Sequence, residues 1–189
     1  MSIVAKVILG MTISLDGFIN DRSGSVSALY PDLAALRDTA PLWESMQNTG
    51  AVVMGRNSFA MAEDPDSIAD NYEYQVPIFV LTHEVPKKRP KENDRLTFTF
   101  VTDGIESAIA QAKAAAGDKD VTIIGAASTT RQCIRAGLAD ELHIDIMPVL
   151  LGGGLRLFTD TGMEPVQLER FKVMELPGGR THLRFCFVK

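Results

Sequence analysis

The apolar and β-branched residues of this chain fall into short runs that are separated by polar stretches. Runs of this kind, bounded by Gly, Pro, Asn or Asp, are typical of β-strands. The pattern predicts strands at Ile3–Met11, Ala51–Met54, Ile78–Leu81, Leu96–Val101, Val121–Ile124, Leu142–Pro148, Phe171–Glu175 and Thr181–Val188.

Helical patterns lie between several of these runs. Pro31–Met46 has a proline in its first turn and leucines at helical spacing. Asp103–Ala116 begins with an Asp suited to an N-cap and ends at Gly117, and Ser128–Ala136 ends at Gly137. The alternation of strands and helices indicates a mostly parallel sheet with both faces covered.

The last two runs differ from the others, because they alternate strictly and flank Pro177-Gly178-Gly179. This composition is typical of a hairpin. We therefore predict an α/β fold with a central mixed, mostly parallel sheet of about eight strands. Helices are expected to interleave the first seven strands and flank the sheet, and an antiparallel C-terminal hairpin completes it.

Length and charge limit the classes of protein that the chain can represent. A length of 189 residues is expected for one domain, residues 1–189. The net charge of −5 argues against a protein that binds nucleic acid or a membrane surface. Cys133 and Cys186 lie far apart, so neither a disulfide framework nor a zinc site is predicted. The N-terminal run contains a lysine and resembles a strand more than a signal peptide, so we expect a cytoplasmic protein.

Three predicted strands end in residues suited to phosphate. "VTIIGAAST" passes through small residues into a helix, whose N-terminal N–H groups attract anions. "VVMGRNSF" places Arg56 after a strand, and a guanidinium matches phosphate oxygens. "IFVLTH" ends in Thr82 and His83, ahead of the basic "PKKRPK". Each could equally be a capped turn or a solvated charge, but together they suggest a dinucleotide lying across the sheet.

The order of these segments resembles the dihydrofolate reductase-like superfamily, and most closely the reductase domain of the bifunctional riboflavin-biosynthesis deaminase/reductase. The resemblance rests on "KVILGMTISLDGFI", "VVMGRNSF", "IFVLT", "VTIIGAAS" and "DELHIDIMPVLLGGGLRLF", which occur in the family's order along nearly the whole chain. It implies an NADPH-dependent reductase that is often dimeric.

The resemblance also implies which residues hold NADPH. The residues expected to flank the cofactor are Gly55, Arg56, Asn57 and Ser58. Those expected to hold its pyrophosphate are Gly125, Ala126, Ala127, Ser128 and Thr129. Arg56 and Thr82 are expected near the adenosine 2′-phosphate. Together with His83 and the basic loop, they predict a preference for NADPH over NADH.

The expected substrate is a small heterocycle. No His-x-Glu or Pro-Cys-x-x-Cys signature of a deaminase occurs, so the chain resembles the reductase half alone. The implied substrate type is 5-amino-6-(5-phosphoribosylamino)uracil. Two alternatives stay open, a dihydrofolate or pterin reductase and a dimeric protein that binds NADPH without turnover. The segment "PDLAALRDTAPLWESM" lacks the Leu-Pro-Trp approach of folate reductases, which disfavours folate.

Polar residues near the end of the first strand are the candidates for the substrate side. Thr12, Ser14 and Asp16 alternate with apolar residues before a polar loop, which covers the substrate in related enzymes. Asp16 is the candidate catalytic residue, and an Asx-turn is its structural alternative. Gly153 could approach the nicotinamide or form a sharp loop. Arg156 could bind an anionic tail of the substrate or pair with a carboxylate at the surface.

The C-terminal strands predict a homodimer. Alternation places Leu183, Phe185 and Phe187 on one side of the last strand, and the opposite side still carries Val188. An uncovered edge strand favours pairing with a second copy, and the related reductase domains also associate. The alternative is an edge protected by its own charged residues and twist.

Overall fold

The computed structural model describes residues 5–62, 64–125, 127–159 and 164–188. Its strands are β1 (Val7–Ser14), β2 (Thr49–Gly55), β3 (Ile78–Leu81), β4 (Phe98–Val101), β5 (Asp120–Ile124), β6 (Glu141–Met147), β7 (Leu168–Leu176) and β8 (Arg180–Phe187). Its helices are α1 (Leu33–Arg37), α2 (Ala40–Asn48), α3 (Arg56–Phe59), α4 (Ile68–Asn71), α5 (Ile105–Ala116) and α6 (Ala127–Arg135). Short 3-10 turns occur at Ser27–Leu29, Pro65–Ser67 and Pro177–Gly179. Among the described residues, no helix is both long enough and apolar enough to cross a membrane.

All eight strands form one sheet, in the order β4-β3-β2-β5-β1-β6-β8-β7. Strands β1 to β6 run parallel, and β8 is antiparallel to both β6 and β7. The predicted α/β fold with a mixed, mostly parallel sheet and an antiparallel C-terminal hairpin is confirmed. Because parallel strands end on the same side, the carboxyl ends of the first six strands meet at one edge of the sheet.

The two faces of the sheet bury two different apolar clusters. The first cluster, which includes Val7, Leu9 and Ala112, packs the strands against α5 and α6. The second, which includes Val52 and Ile78, lies on the opposite face. The sheet is therefore covered on both sides, as parallel strands require.

The prediction of one helix over Pro31–Met46 was wrong, because this segment forms α1 and α2. α1 ends at Arg37, and α2 restarts after Thr39. Pro41 lies in the first turn of α2, and its ring prevents a continuous helix from α1. The expected cap at Asp103 was also wrong, because the N-cap of α5 is Gly104 at a φ of 109° without a side-chain capping bond.

The interleaving of strands with helices was over-predicted. Within the described residues, no helix lies between β3 and β4 or between β6 and β7. In the β3–β4 connection, Pro86 and Pro90 lack the N–H groups that a helix needs. This connection is held by Asn93 instead, whose Nδ2 donates to the carbonyl O of Ala69 at 2.9 Å.

The C-terminal hairpin has one buried side and one free edge. Leu183, Phe185 and Phe187 pack against the first cluster, so this side of β8 covers the core. β7 is the outermost strand and carries Phe171 and Val173, each 49% exposed. The exposed apolar edge therefore belongs to β7.

Two strand glycines provide a matched test of this packing. A Cβ at Gly50 would lie 2.6 Å from the carbonyl O of Ala116, at the end of α5, whereas a Cβ at Gly10 would meet nothing closer than 3.7 Å. We expect Gly50→Ala to lower the free energy of unfolding by about 1–3 kcal/mol, because α5 must shift to make room. Gly10→Ala, the control, is expected to cost nothing. Urea unfolding measures both, and equal stabilities would contradict the packing of α5 on β2.

Candidate functional site

Three neighbouring strand ends bring the predicted cofactor residues together. β3, β2 and β5 are consecutive in the sheet. The register pairs Leu81 with Gly55 and Met54 with Ile124, so the turn at Gly125 leaves β5 directly beside the end of β2. The three phosphate-suited segments therefore lie side by side at one edge.

The turn after β5 packs directly on α3. Gly125 has a φ of 70°, in the left-handed region that favours glycine. A Cβ at this position would overlap the side chain of Ser58. The close approach of Ser58 therefore requires a glycine here, and two of the predicted cofactor residues are in contact.

α6 begins immediately after this turn. Its first residue, Ala127, is buried, as is Thr129, whereas Ser128 is exposed and its Oγ accepts a hydrogen bond from Gln132 Nε2 at 3.1 Å. Ala126 lies outside the described residues. The first N–H groups of an α-helix have no partner within the helix, so this end of α6 suits an anion.

The ends of β2 and β3 present accessible polar groups. Arg56 and Asn57 are exposed, and within the described part of the chain no hydrogen bond or ion pair engages the Arg56 guanidinium. His83 is exposed as well. Thr82 is buried, and its Oγ1 donates to the carbonyl O of Glu84 at 2.9 Å, so its hydroxyl is committed to a local turn.

The basic loop after β3 is less positive than its sequence indicates. Lys88 Nζ lies 2.6 Å from Asp66 Oδ2, and Lys91 Nζ lies 2.8 Å from Asp70 Oδ1. These two ion pairs neutralise half of the four basic residues in the loop. A positive field at this edge of the sheet therefore depends more on Arg56 than the sequence predicts.

The loop after β1 is fastened to the loop after β6. We call residues 15–22 and 149–157 together the loop clasp. Asp16 joins its two halves, because Leu151 N–H donates to Oδ1 at 3.1 Å and Gly152 N–H donates to Oδ2 at 2.8 Å. These bonds tie the first part of the loop after β1 to the loop after β6.

The hydrogen bonds to Asp16 keep its carboxylate ionised. The Ser14 hydroxyl donates to Oδ1 at 2.6 Å. This bond, followed by those from the N–H groups of Gly152 and Leu151, lowers the pKa of Asp16 to about 2. A carboxylate with a pKa this low holds no proton to donate at neutral pH and is only a weak base. The geometry favours a structural role, and the catalytic role of Asp16 stays a prediction.

Two glycines of the loop clasp are explained by the chain that packs on them. A Cβ at Gly154, where φ is 128°, would overlap the carbonyl of Asn20. A Cβ at Gly153 would overlap the side chain of Arg22. The sharp-loop alternative therefore accounts for Gly153 without a substrate, although this does not test its predicted role.

Arg156 lies on the exposed side of the loop clasp. Its guanidinium lies over the Phe18 ring, 4.5 Å from the centroid, and its Nη1 donates to the carbonyl O of Asp16 at 3.1 Å. An open cavity of about 420 Å³ is lined by Asn20, Asp21, Arg22, Gly24, Gly154 and Leu155. The position leaves the Arg156 side chain accessible to an anionic ligand.

A buried ionic cluster escaped the sequence analysis. We call it the Arg180 cluster; it consists of Arg180, Asp32, Asp145, Thr12 and the carbonyl of Leu29. Nη2 of the fully buried Arg180 lies 2.8 Å from Asp32 Oδ1 and 3.0 Å from the Leu29 carbonyl O. Nη1 lies 3.6 Å from Asp145 Oδ2 and 3.4 Å from Thr12 Oγ1. In the sequence, the signal for the Arg180 cluster was the presence of charged residues within the predicted C-terminal strands.

The family model of the RibD C-terminal domain matches residues 5–180. Among curated proteins, the uncharacterized protein YyaP of Bacillus subtilis (strain 168) is 29% identical over 168 residues, which cover 82% of this chain and 81% of that protein. A second uncharacterized protein of the same organism, YwjB, is 26% identical over 153 residues, which cover 81% of this chain and 82% of that protein.

Solved structures share the fold. A protein from Shewanella sp. PV-4, provisionally named a riboflavin biosynthesis protein, has a TM-score of 0.78 at 23% identity, over 97% of this chain and 99% of that one. A deaminase/5-amino-6-(5-phosphoribosylamino)uracil reductase from Thermotoga maritima has a TM-score of 0.67 at 14% identity, over 97% and 57%. Dihydrofolate reductase from Enterococcus faecalis, complexed with NADP(H), has a TM-score of 0.60 at 15% identity, over 97% of each chain. These structural similarities establish a dihydrofolate reductase-like fold.

The role of Asp16 in the loop clasp can be tested by pH. Because its folded pKa of about 2 lies below the usual value of 3.8, ionised Asp16 stabilises the fold above about pH 4, and this stabilisation is lost as the pH falls towards 2. We expect the difference in unfolding free energy between the unmutated protein and Asp16→Asn to shrink between about pH 4 and pH 2.

Urea unfolding at a series of pH values measures this difference. Asp118→Asn is the control, because Asp118 is exposed and has no hydrogen bond or ion pair with the other described residues. A difference between Asp16→Asn and the unmutated protein that stays constant from pH 5 to pH 2 would contradict the role of the carboxylate.

Proposed function

Because the chain belongs to the RibD C-terminal domain family, we propose that it is an NADPH-dependent reductase of a small heterocyclic substrate. The substrate type that we propose is 5-amino-6-(5-phosphoribosylamino)uracil. Support comes from the family, from the fold shared with the Thermotoga maritima deaminase/reductase, and from the groups at the strand ends.

The contact between Ser58 and Gly125 carries the proposal for the cofactor. It holds the start of α3 against the turn before α6, so the exposed Arg56 and the N-terminus of α6 lie at neighbouring strand ends. NADPH has two phosphate sites, a pyrophosphate and a 2′-phosphate. A helix N-terminus and an unpaired guanidinium suit these two groups, so the residues present fit the cofactor.

In this proposal the protein binds NADPH, and none of the described residues acts as a nucleophile. Bound NADPH would supply the hydride, and the protein would supply binding and orientation. The first N–H groups of α6 and the hydroxyl of Ser128 would orient the pyrophosphate, and Arg56 would neutralise the 2′-phosphate. Asn57 and His83 would border the adenosine end. Gly55 and Gly125 would let the backbone approach the cofactor closely.

On the substrate side, we propose that Arg156 binds the anionic tail of the substrate. Its guanidinium is exposed and already oriented by Phe18 and the Asp16 carbonyl. Thr12 and Ser14 are buried and would support the end of β1 beneath the substrate. Asp16 would hold the loop clasp in a fixed position beside the reacting groups.

A substrate panel tests the proposed function. Oxidation of NADPH, followed at the nicotinamide absorbance band, is measured with an aminopyrimidine, a pterin and a quinone. We expect oxidation with the aminopyrimidine. Oxidation with the pterin alone would contradict the proposed substrate. Saturable NADPH binding without oxidation of any member would favour a dinucleotide-binding protein that does not turn over.

Arg56 tests the preference for NADPH over NADH. A charge-assisted contact with the 2′-phosphate contributes about 1.5–3 kcal/mol, so Arg56→Ala should raise the Kd for NADPH roughly 10- to 150-fold. The Kd for NADH should change little, because NADH lacks that phosphate.

Arg95→Ala is the matched control for Arg56→Ala. Arg95 is also exposed, but it precedes β4 and so lies at the opposite edge of the sheet. Titration of intrinsic fluorescence with each cofactor gives the Kd values. Equal affinity of the unmutated protein for NADPH and NADH would contradict the assignment.

We further propose that the protein is a homodimer that pairs through β7. Among the described residues, the outer ladder side of this strand has no neighbour in the sheet, and Val173 on the same strand is 49% exposed. Val188, at 58% exposure, follows β8 beside it. An exposed apolar edge strand is a liability that a second copy would remove.

Charge on β7 should separate the two copies. We expect Val173→Glu to reduce the mass measured by light scattering at micromolar concentration from two chains to one, because a carboxylate buried in the interface loses its hydration. Val85→Glu, in the loop between β3 and β4, introduces the same charge at a position that is 46% exposed and should leave the dimer intact. A mass of one chain for the unmutated protein would end the dimer proposal.

A further inference from the structure

Arg180 fastens a short irregular segment to the sheet. The segment, residues 27–32, contains one 3-10 turn, held by Leu29 N–H to the Val26 carbonyl O at 2.9 Å and by Tyr30 N–H to the Ser27 carbonyl O at 3.2 Å. One turn of this kind is not stable alone. Arg180 bonds the segment at both ends, through the Leu29 carbonyl and the Asp32 carboxylate.

The aromatic ring of the same segment faces the same guanidinium. The Tyr30 ring lies with its centroid 5.6 Å from Arg180 Cζ. Among the described residues, the hydrogen bonds that link this segment to the sheet come from Arg180.

The charges of the Arg180 cluster make this anchor difficult to replace. Arg180 is 0% exposed, and Asp145, its second carboxylate partner, also lies 2.6 Å from His182 Nδ1 through its other oxygen. Removing one member of a buried ionic group leaves an uncompensated charge. A Cβ at Gly178 would lie 2.7 Å from Asp32 Oδ2, so the hairpin turn limits the space around that carboxylate.

Two polar atoms of the Arg180 cluster lack a hydrogen-bond partner among the described residues. Within the described residues, Arg180 Nε and Asp32 Oδ2 are buried without a hydrogen-bond partner. Unsatisfied buried atoms cost free energy, and such exceptions require an explanation. A cluster that fixes one geometry beside a reaction site is consistent with that cost.

The cluster touches the end of β1 at the place where the substrate side begins. Thr12 precedes Ser14, the last residue of β1, by two positions, and residues 27–32 follow the first half of the loop clasp along the chain. We propose that Arg180 is a positioning residue, which holds residues 27–32 against β1 and β6 so that this segment orients the substrate. The part of this inference that concerns a substrate rests on the proposed function.

Arg180→Lys tests the inference, because lysine keeps the charge and loses the planar fork that reaches two partners at once. Amide hydrogen exchange is measured without cofactor or substrate, so its result does not depend on the proposed function. We expect the amides of Leu29 and Tyr30 to exchange at least about tenfold faster in the variant, while amides in the middle of α5 do not change.

Arg184→Lys is the matched control. Arg184 lies on the same strand, and its guanidinium bonds Glu44 Oε2 at 2.8 Å and His182 Nε2 at 3.0 Å but no residue of the segment 27–32, so Arg184→Lys should leave Leu29 and Tyr30 protected. In turnover, Arg180→Lys should raise the KM for the heterocyclic substrate about tenfold with the Kd for NADPH unchanged. A general loss of stability would not raise the substrate KM while leaving the Kd for NADPH unchanged.

Asp32→Asn removes the negative charge that pairs with Arg180 and keeps the shape of the side chain. If Arg180→Lys does not fold, the same measurements on Asp32→Asn test the inference. Unchanged exchange of Leu29 and Tyr30 in the folded variants would overturn the inference, as would faster exchange with an unchanged substrate KM. Absence of turnover in the unmutated protein would contradict the proposed function alone. The exchange result would then decide whether Arg180 holds residues 27–32.

Discussion

Strands β2 and β5 pair in parallel in the middle of the sheet, and the positions of the groups that we propose to bind the cofactor phosphates depend on this pairing. At the amino end, the Thr49 and Thr122 hydroxyls share a buried hydrogen bond of 2.6 Å. At the carboxyl end, Ser58 packs against Gly125. Arg56 and the N-terminus of α6 therefore follow neighbouring strand ends because of backbone pairing, before any ligand is present. A site prepared in this way loses little conformational entropy on binding.

Polar interactions, in contrast, hold the side that we propose for the substrate. Asp16 joins two loops with an ionised carboxylate, and Arg180 joins the C-terminal hairpin to residues 27–32 with a buried cation. Both anchors lie near the ends of β1 and β6. Such groups specify one geometry, because separating a buried charge from its partners costs far more free energy than displacing an apolar side chain. The two halves of the candidate site thus rest on different forces.

The sequence contained most of the fold because strands and turns leave local signals. All eight apolar runs became strands, and Gly117 and Gly137 follow helices at φ values of 67° and 66°, as their positions indicated. The partners of the charged residues left no such signal. Asp16 meets Gly152 at a separation of 136 residues, and Arg180 meets Thr12 at 168. Contacts at these separations depend on the order of strands in the sheet, which residue patterns do not encode.

The central claim is that a dinucleotide lies across the ends of β3, β2 and β5. Mapping of backbone amide chemical shifts during titration with NADPH tests it most directly. The account predicts saturable shifts at Arg56, Gly125 and Ser128, with the amides of β7 unchanged. Saturable shifts confined to other strands, or no saturable shift at all, would contradict it.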